Sequence, residues 1–407
     1  MTKQPRCFER FAKEGRTEEQ LHRIHLLRSC ITLAKPILKD VDVSTPSLFA
    51  AALISLVSVA AANAQSLDER LDRWRENHSV QGIAVAIVGP EYSALAASGV
   101  RDETGTPIET SDRFSIASVS KTFTAAAITA MVADDQFQST DSAAALSALP
   151  IAADISVADL LRHESGLPEY LGGALDFGYF LAQNAEGREA WSGDEIQTYA
   201  SSVDASGDRS FAYSNSSYVV LGAIIEQQTG MPLDEALQQL VFTPNGLDSA
   251  ALMGPDTQSP EALGRSDMLE GIIGTPHLDA RLNRQLATAG NAAGGVAIDI
   301  SDLARWGQVW FTQAQAYEPP AGGSAFGLDA DRIAVGPGGY EVRYETRIAR
   351  VHGGDGLGLS ALLLHDVASS TTIAIAINDD RVRSLGFGQD GFLDSLAFEL
   401  LDEIEDR

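Results

Sequence analysis

Apolar and polar positions sort the chain into distinct stretches. Residues 48–62 are an uncharged apolar run, rich in Ala, Leu, Val and Ser and too short to span a bilayer comfortably. Beyond it, apolar runs at Gly82–Val88 and Tyr92–Val100 read as strands. Three more strand-like runs, Tyr340–Arg347, Ser360–Leu364 and Thr371–Ile377, lie near the other end, ahead of a terminal helix over about Phe387–Glu405. The sequence between is mostly helical or loop-rich. It includes an Ala-rich helix opening at about Ser118 and a helix running to about Thr229, where Gly230 and Pro232 stop it. One sheet assembled from both chain ends, with helical material between, is an α/β (α+β) architecture.

The apolar run ends in Ala62-Asn63-Ala64, the small-x-small pattern of a signal-peptidase site, and Lys35 and Lys39 lie upstream as a positive region. The expectation is a presequence over residues 1–64 (apolar core 48–62), cleaved near Ala64, and a domain over 65–407 that is periplasmic or secreted. No Cys follows the run to carry a lipid, and no second long apolar stretch predicts stable membrane insertion.

Charge narrows the partners. With 29 Lys and Arg against 56 Asp and Glu, the chain carries −27; without its first 64 residues it carries 20 basic and 50 acidic side chains, a net −30. Such a surface repels phosphate backbones and anionic lipids, so nucleic acid is excluded as a partner. Both cysteines, Cys7 and Cys30, fall in the presequence, which leaves the exported form without a disulfide, a thiol nucleophile or a thiolate metal site. Its chemistry must use oxygen or nitrogen.

After residue 64 the chain holds a single lysine, Lys121, beside 19 arginines. A composition that uses Arg wherever charge suffices, yet keeps one Lys, points to a position that must lose its proton, which a guanidinium does not do. Ser118 lies three residues earlier, on the same helical face and in the first turn, where free N–H groups favour a developing anion. A desolvated amine that takes the serine proton lets the alkoxide attack an acyl carbon and form an acyl-enzyme.

Two further segments carry candidate chemistry. Tyr213 and Asn215 stand just before the helix that ends at Thr229, two apart, so that one surface presents a phenol and an amide. Arg350-Val351-His352-Gly353-Gly354-Asp355-Gly356-Leu357-Gly358 is a glycine-rich strand edge that a substrate backbone approaches closely, with His352 as a donor toward a substrate carboxylate or the Ser118–Lys121 pair.

Together, in this order, the three elements resemble the penicillin-recognising serine hydrolases: class C β-lactamases, D-alanyl-D-alanine carboxypeptidases and related esterases and D-peptidases. The resemblance extends to Leu160-Leu161-Arg162-His163-Glu164-Ser165-Gly166-Leu167-Pro168 and to Gly294-Gly295 through Asp302-Leu303-Ala304-Arg305-Trp306, both read as structural. It implies an antiparallel sheet flanked by helices, a helical subdomain inserted at about 134–291, and Ser118 in the cleft between them. By similarity Ser118 is the nucleophile, Lys121 its proton acceptor, Tyr213 the acid/base for the leaving group and Asn215 a substrate ligand. His352, Gly353 and Gly354 take the place of the family's Lys-Thr-Gly or His-Thr-Gly strand, and the backbone N–H groups of Ser118 and Asp355 form the oxyanion hole. Whether Lys121 or Tyr213 is the operative base stays open at this point.

The departures bear on substrate. Gly353 lacks the Thr hydroxyl that helps hold a substrate carboxylate, and Arg343, Arg347 and Arg350 are candidate replacements. His in place of Lys on the strand leans toward carboxypeptidase-like and esterase-like members. His163-Glu164 lacks the second His of a zinc motif, there is no Gly-x-Ser-x-Gly, and no cofactor is expected. His78, His277 and His365 read as fillers. The expected function is an exported, monomeric serine hydrolase that acts on a small molecule or cell-wall peptide, D-alanyl-D-alanine carboxypeptidase-like or β-lactam-hydrolysing. The alternatives are a carboxylesterase or D-aminopeptidase of the same family, or an idle cell-wall-binding scaffold.

Overall fold

Alternation of β-branched and alanine positions gives the central strands two different faces, and the two faces recruit different helices. A computed structural model describes residues 67–171, 177–202, 205–313 and 315–405; the expected presequence lies outside them. In chain order the main elements are α1 (residues 67–78), β1 (Gly82–Val88), β2 (Ser93–Gly99), α2 (Lys121–Ala133), α3 (Asn215–Thr229), α4 (Ala280–Gly294), α5 (Ile300–Thr312), β3 (Ile333–Gly336), β4 (Gly339–Arg343), β5 (Ile348–Gly356), β6 (Leu359–Asp366), β7 (Thr371–Ile377) and α6 (Leu393–Glu405). The strands form one antiparallel sheet in the order β2-β1-β7-β6-β5-β4-β3, so the first two strands close onto the last, as expected of a sheet built from both ends.

Register keeps like with like. Ala84 faces Ala376 and Ala86 faces Ala374, while Ile83 faces Ile377 and Val85 faces Ile375. The alanine face lets α5 approach so closely that a Cβ on Gly307 would lie 2.6 Å from Leu363 Cδ1. There Trp306 stacks between Phe123 of α2 and Trp310, and its ring N–H donates to Thr122 Oγ1 at 2.8 Å. The β-branched face packs under α1 and α6 through Leu71, Trp74, Leu396 and Leu400. Burial of this many large apolar side chains on both faces, at roughly 1.5–3 kcal/mol each, fixes the sheet as a rigid frame.

Residues 134–291 hold the helices Ala143–Ser147, Val157–Leu161, Phe177–Ala185, Gly193–Ala200, Leu233–Leu237 and Asp267–Ile273 around α3, whose central apolar residues are buried. A strip at Ala251–Leu252 pairs with Val296–Asp299, which pairs in turn with Arg113–Ser115 just ahead of Ser118.

Three expected boundaries move. The terminal helix starts at Leu393 because Phe387, Gly388 and Gly391 hold φ of 54°, 92° and 85°, which makes a loop of the stretch before it. The strand expected over 340–347 stops at Arg343, where Tyr344 N–H donates to Arg347 C=O in a turn. Ser118 precedes the α-helix rather than opening it, in a 3-10 turn over Ala117–Ser120. β3 was not foreseen; it joins β4 through Gly338 at φ 61°.

Candidate active site

The turn that bears Ser118 is held in a costly conformation. Ala117 has φ 42°, a left-handed value that L residues adopt at a cost of about 1–2 kcal/mol. The strip at 296–299 pins the turn: Val296 N–H donates to Ser120 Oγ at 3.0 Å and Ile116 N–H donates to Val296 C=O at 3.2 Å. Ser118 is thereby aimed into the cleft ahead of α2.

Lys121, on the first turn of α2, is fully buried. Its Nζ lies 3.1 Å from Ser118 Oγ, 2.6 Å from Asn215 Oδ1 and 2.7 Å from the Ala293 carbonyl. The last acceptor exists because Asn291, at φ 43° and ψ −136°, interrupts α4, and the carbonyls of Ala292 and Ala293 turn to Thr124 Oγ1 and Lys121 Nζ. Burial lowers the Lys121 pKa from 10.5 to about 7, against the opposing charge of Glu169. A neutral amine has two hydrogens, and Asn215 Oδ1 and Ala293 O can only accept, so both are consumed and the lone pair faces Ser118.

Asn215 is the first residue of α3, which Ser214 caps, and its backbone N–H donates to Glu169 Oε2 at 2.8 Å. With Oδ1 turned to Lys121, its amide NH2 is left for the cleft. Tyr213 lines the same cavity as Ser118, and Lys121 Nζ sits 4.9 Å from its ring centre. Burial pushes the Tyr213 phenol well up, so it stays protonated at neutral pH, and of the two candidate bases only Lys121 titrates in that range.

β5 loses its β4 partner beyond Val351 and runs past the nucleophile as an open edge. A Cβ on Gly354 would lie 2.1 Å from the Ile116 carbonyl and 3.1 Å from Ser118 N, so only glycine fits. Ser118 and Asp355 line the same two cavities. The Asp355 carboxylate accepts from Ser360 Oγ, Ser384 N–H and Ser384 Oγ, each at 2.8 Å, and ties the 383–387 loop to the strand.

His352 corrects the expectation of a donor. Its Nδ1–H donates to the Gly353 carbonyl at 2.7 Å, and burial lowers its pKa to about 3, so the ring is neutral and offers a lone pair at Nε2, which has no hydrogen-bond partner. The arginine candidates also fall away. Arg347 pairs with Asp402 and Glu405, Arg350 with Glu341 and the Phe311 carbonyl, and neither these nor Arg343 lines the cleft.

The comparisons with known proteins agree with this geometry. A family model described as Beta-lactamase matches residues 63–387. The chain belongs to the Beta-lactamase family. Among its relatives, Penicillin-binding protein 4 of Amycolatopsis lactamdurans is 25% identical over 248 residues, 59% of this chain and 62% of that protein. A D-aminopeptidase of Brucella anthropi is 29% identical over 202 residues, 48% of this chain and 35% of that protein. The chain thus spans under two thirds of the length of the curated relatives it matches. In fold, it superposes on the D-amino acid amidase of Ochrobactrum anthropi SV3 complexed with D-phenylalanine with a TM-score of 0.66 and 22% identity, covering 84% of this chain and 99% of that one.

Several residues of this Beta-lactamase-family site escaped the sequence. His163, read as structural, packs against Tyr213 with ring centres 4.5 Å apart and planes tilted by 32°, and its Nδ1 accepts the Ser214 N–H at 3.2 Å. Glu169 holds Asn215 and Leu171 through their backbone N–H groups. Ala293, and Gly294 from a segment also read as structural, border Lys121 and the cleft. The 383–387 loop, which also lines the cleft, gave no sequence signal. Glu164, by contrast, is structural, paired with Arg162 at 2.8 Å and accepting the Ala321 N–H. His365 is a filler that bonds Thr372 at 2.9 Å. Among the described residues no cluster of His, Cys, Asp or Glu is placed to hold a metal, and no helix is long and apolar enough to cross a membrane.

Proposed function

We propose that this chain is an exported serine hydrolase that opens the amide bond of a small D-configured peptide or a β-lactam through an acyl-enzyme on Ser118. The observation that carries the reading is the Lys121 amine, whose two acceptor-only partners leave its lone pair on Ser118. In the reaction, Ser118 Oγ gives its proton to Lys121 Nζ and bonds to the substrate carbonyl carbon. The carbonyl electrons move onto oxygen, toward the N–H groups of Ser118 and Asp355. Collapse breaks the carbon–nitrogen bond; Tyr213 protonates the leaving nitrogen and regains a proton from Lys121. Water then attacks the ester while Lys121 accepts its proton, and as the acyl–Oγ bond breaks Lys121 returns that proton to Ser118 Oγ, which releases the acid and restores the neutral pair.

Two cavities meet at Ser118, Asn215 and Asp355. Tyr213 lines only the one of about 340 Å³, so the leaving group belongs there. The acyl side chain belongs in the other, about 200 Å³, walled by Leu171, Leu286, Ala287 and Leu357. The relatives named D-aminopeptidase and D-amino acid amidase favour a second reading within the same chemistry, in which the acyl part is a single D-amino acid. Support for export comes from the apolar run and the Ala62-Asn63-Ala64 pattern, and an N-terminus near Gln65 on the recovered protein is the expected outcome.

The test compares hydrolysis of acetyl-D-alanyl-D-alanine, nitrocefin, D-phenylalanine amide and L-phenylalanine amide by the wild type and Ser118→Ala. Ser118-dependent turnover of D-configured substrates or nitrocefin, with the L-amide refused, is expected. Equal turnover of both enantiomers would overturn the D-specific reading, and turnover by Ser118→Ala would overturn the acyl-enzyme.

A further inference from the structure

The acyl pocket is apolar along most of its length and polar at its far end. Helix α4 forms one wall. At its Gly294 end the helix lies against the turn of the nucleophile, where a Cβ on Gly294 would sit 3.7 Å from the Ala117 carbonyl carbon. From there the wall runs back through Gly290, Ala287 and Leu286 to Asn283, at the helical spacing that keeps all four on one face. Gly290 and Asn283 stand seven residues apart, about 10 Å along the axis. A short side chain on an acyl group held at Ser118 therefore stops beside Leu286 and Ala287, and a longer, unbranched one reaches Asn283.

Asn283 is only 2% exposed, yet its carboxamide is half used. Nδ2 donates to Ser259 Oγ at a long 3.4 Å, and Oδ1, which accepts no hydrogen bond from the described residues, opens on the pocket. A buried amide left this way is costly unless a ligand meets it. Its surroundings are fixed: the Ser259 carbonyl accepts from Arg113 Nη2 at 3.4 Å, and Arg113 is forked onto the Glu261 carboxylate at 3.1 and 3.0 Å. Those two charges neutralise each other. Asp355, at the Ser118 end, is engaged by Ser360 and Ser384. An ammonium or carboxylate tip would thus be buried beside Asn283 without a counter-ion. A neutral carboxamide fits, because its NH2 donates to Oδ1 while its oxygen accepts the second hydrogen of Nδ2.

We propose that Asn283 reads the tip of the acyl side chain, and that the preferred acyl donor is a D-residue with an unbranched side chain ending in a carboxamide, such as D-glutamine. This rests on the reading of Ser118 as the acylated residue and of the pocket walled by Leu286 as the acyl side.

The test measures kcat/KM for acetyl-D-X-D-alanine and for the D-X amide, with X as Gln, Met, Lys or Ala, so that the choice of leaving group does not decide the outcome. The wild type is expected to favour Gln over Met, which matches it in length, by about tenfold, mostly through KM, because the contact is made equally in ground and transition states. Asn283→Leu, close in shape, should lower the Gln-to-Met ratio about tenfold. Asn283→Asp should raise the Lys-to-Gln ratio about tenfold, a reversal that a merely structural role would not produce. A wild type that turns over Met as well as Gln, or an Asn283→Leu ratio within twofold of wild type, would overturn the proposal and leave the Ser118 reading standing. Absence of Ser118-dependent turnover of every one of these substrates, Ala included, would overturn both.

Discussion

Replacing Lys121 with Arg separates charge from proton acceptance. With its pKa near 7, about nine tenths of the wild-type amine is neutral at pH 8, whereas a guanidinium above pKa 12 is neutral in fewer than about one molecule in ten thousand. General-base catalysis contributes roughly 10²–10⁴-fold, so acylation of Lys121→Arg should fall by about a thousandfold or more. Lys121→Met serves as the uncharged control. It leaves Asn215 Oδ1 and Ala293 O without their donor, at about 1–3 kcal/mol each, and relieves the burial of an amine; it should fold and also fail to acylate. The assay is the rate of adduct formation with a fluorescent penicillin under single-turnover conditions, from pH 5 to 9. Because the base acts only when unprotonated, the wild-type rate should rise about tenfold per pH unit below 7 and level off above it. Near-normal acylation by Lys121→Arg, or a flat wild-type profile across pH 7, would refute the reasoning.

Other expectations are equally direct. Gly354→Ala drives a methyl into the Ile116 carbonyl and should cut acylation at least about a hundredfold while circular dichroism stays native, since a 1 Å displacement of a nucleophile costs on that order. Tyr213→Phe should spare acylation by an activated ester, whose leaving group needs no proton, and abolish amide turnover; equal losses on both would contradict its role with the leaving nitrogen. Buried Asp379, beside Arg265, Arg381, Asp380 and Asp267, has its pKa raised to about 7 by burial. A carboxyl raised from 3.8 to about 7 by folding contributes stability that is fully present below pH 4 and is lost as pH rises to 7, so the wild-type Tm should drop between pH 4 and 7 more than that of Asp379→Asn and run parallel to it above pH 7.

How much was legible follows from what a motif encodes. Ser118, Lys121, Tyr213 and Asn215 were readable because their types and spacing are dictated by the chemistry, and the sheet because its strands are apolar runs. His352 was misjudged because the direction of its proton is set by the Gly353 carbonyl and by burial, neither of which a sequence displays. Arg343, Arg347 and Arg350 were favoured as carboxylate ligands because they lie near the motif in sequence. Two of those side chains are drawn off to Glu341, Asp402 and Glu405, while a loop some 30 residues downstream is pulled in by Asp355. The acceptor at Ala293 was likewise invisible, because it arises from a backbone kink at Asn291 inside an otherwise regular helix.

The central claim, that Lys121 activates Ser118 to form an acyl-enzyme, is tested most directly by intact mass spectrometry of the purified protein after brief exposure to a fluorescent penicillin. The account predicts one covalent adduct of the penicillin mass, mapped to the peptide bearing Ser118, present above pH 7, diminished at pH 5 and absent from Ser118→Ala. An adduct that persists in Ser118→Ala, or no adduct at any pH while the D-configured substrates are still turned over, would contradict it.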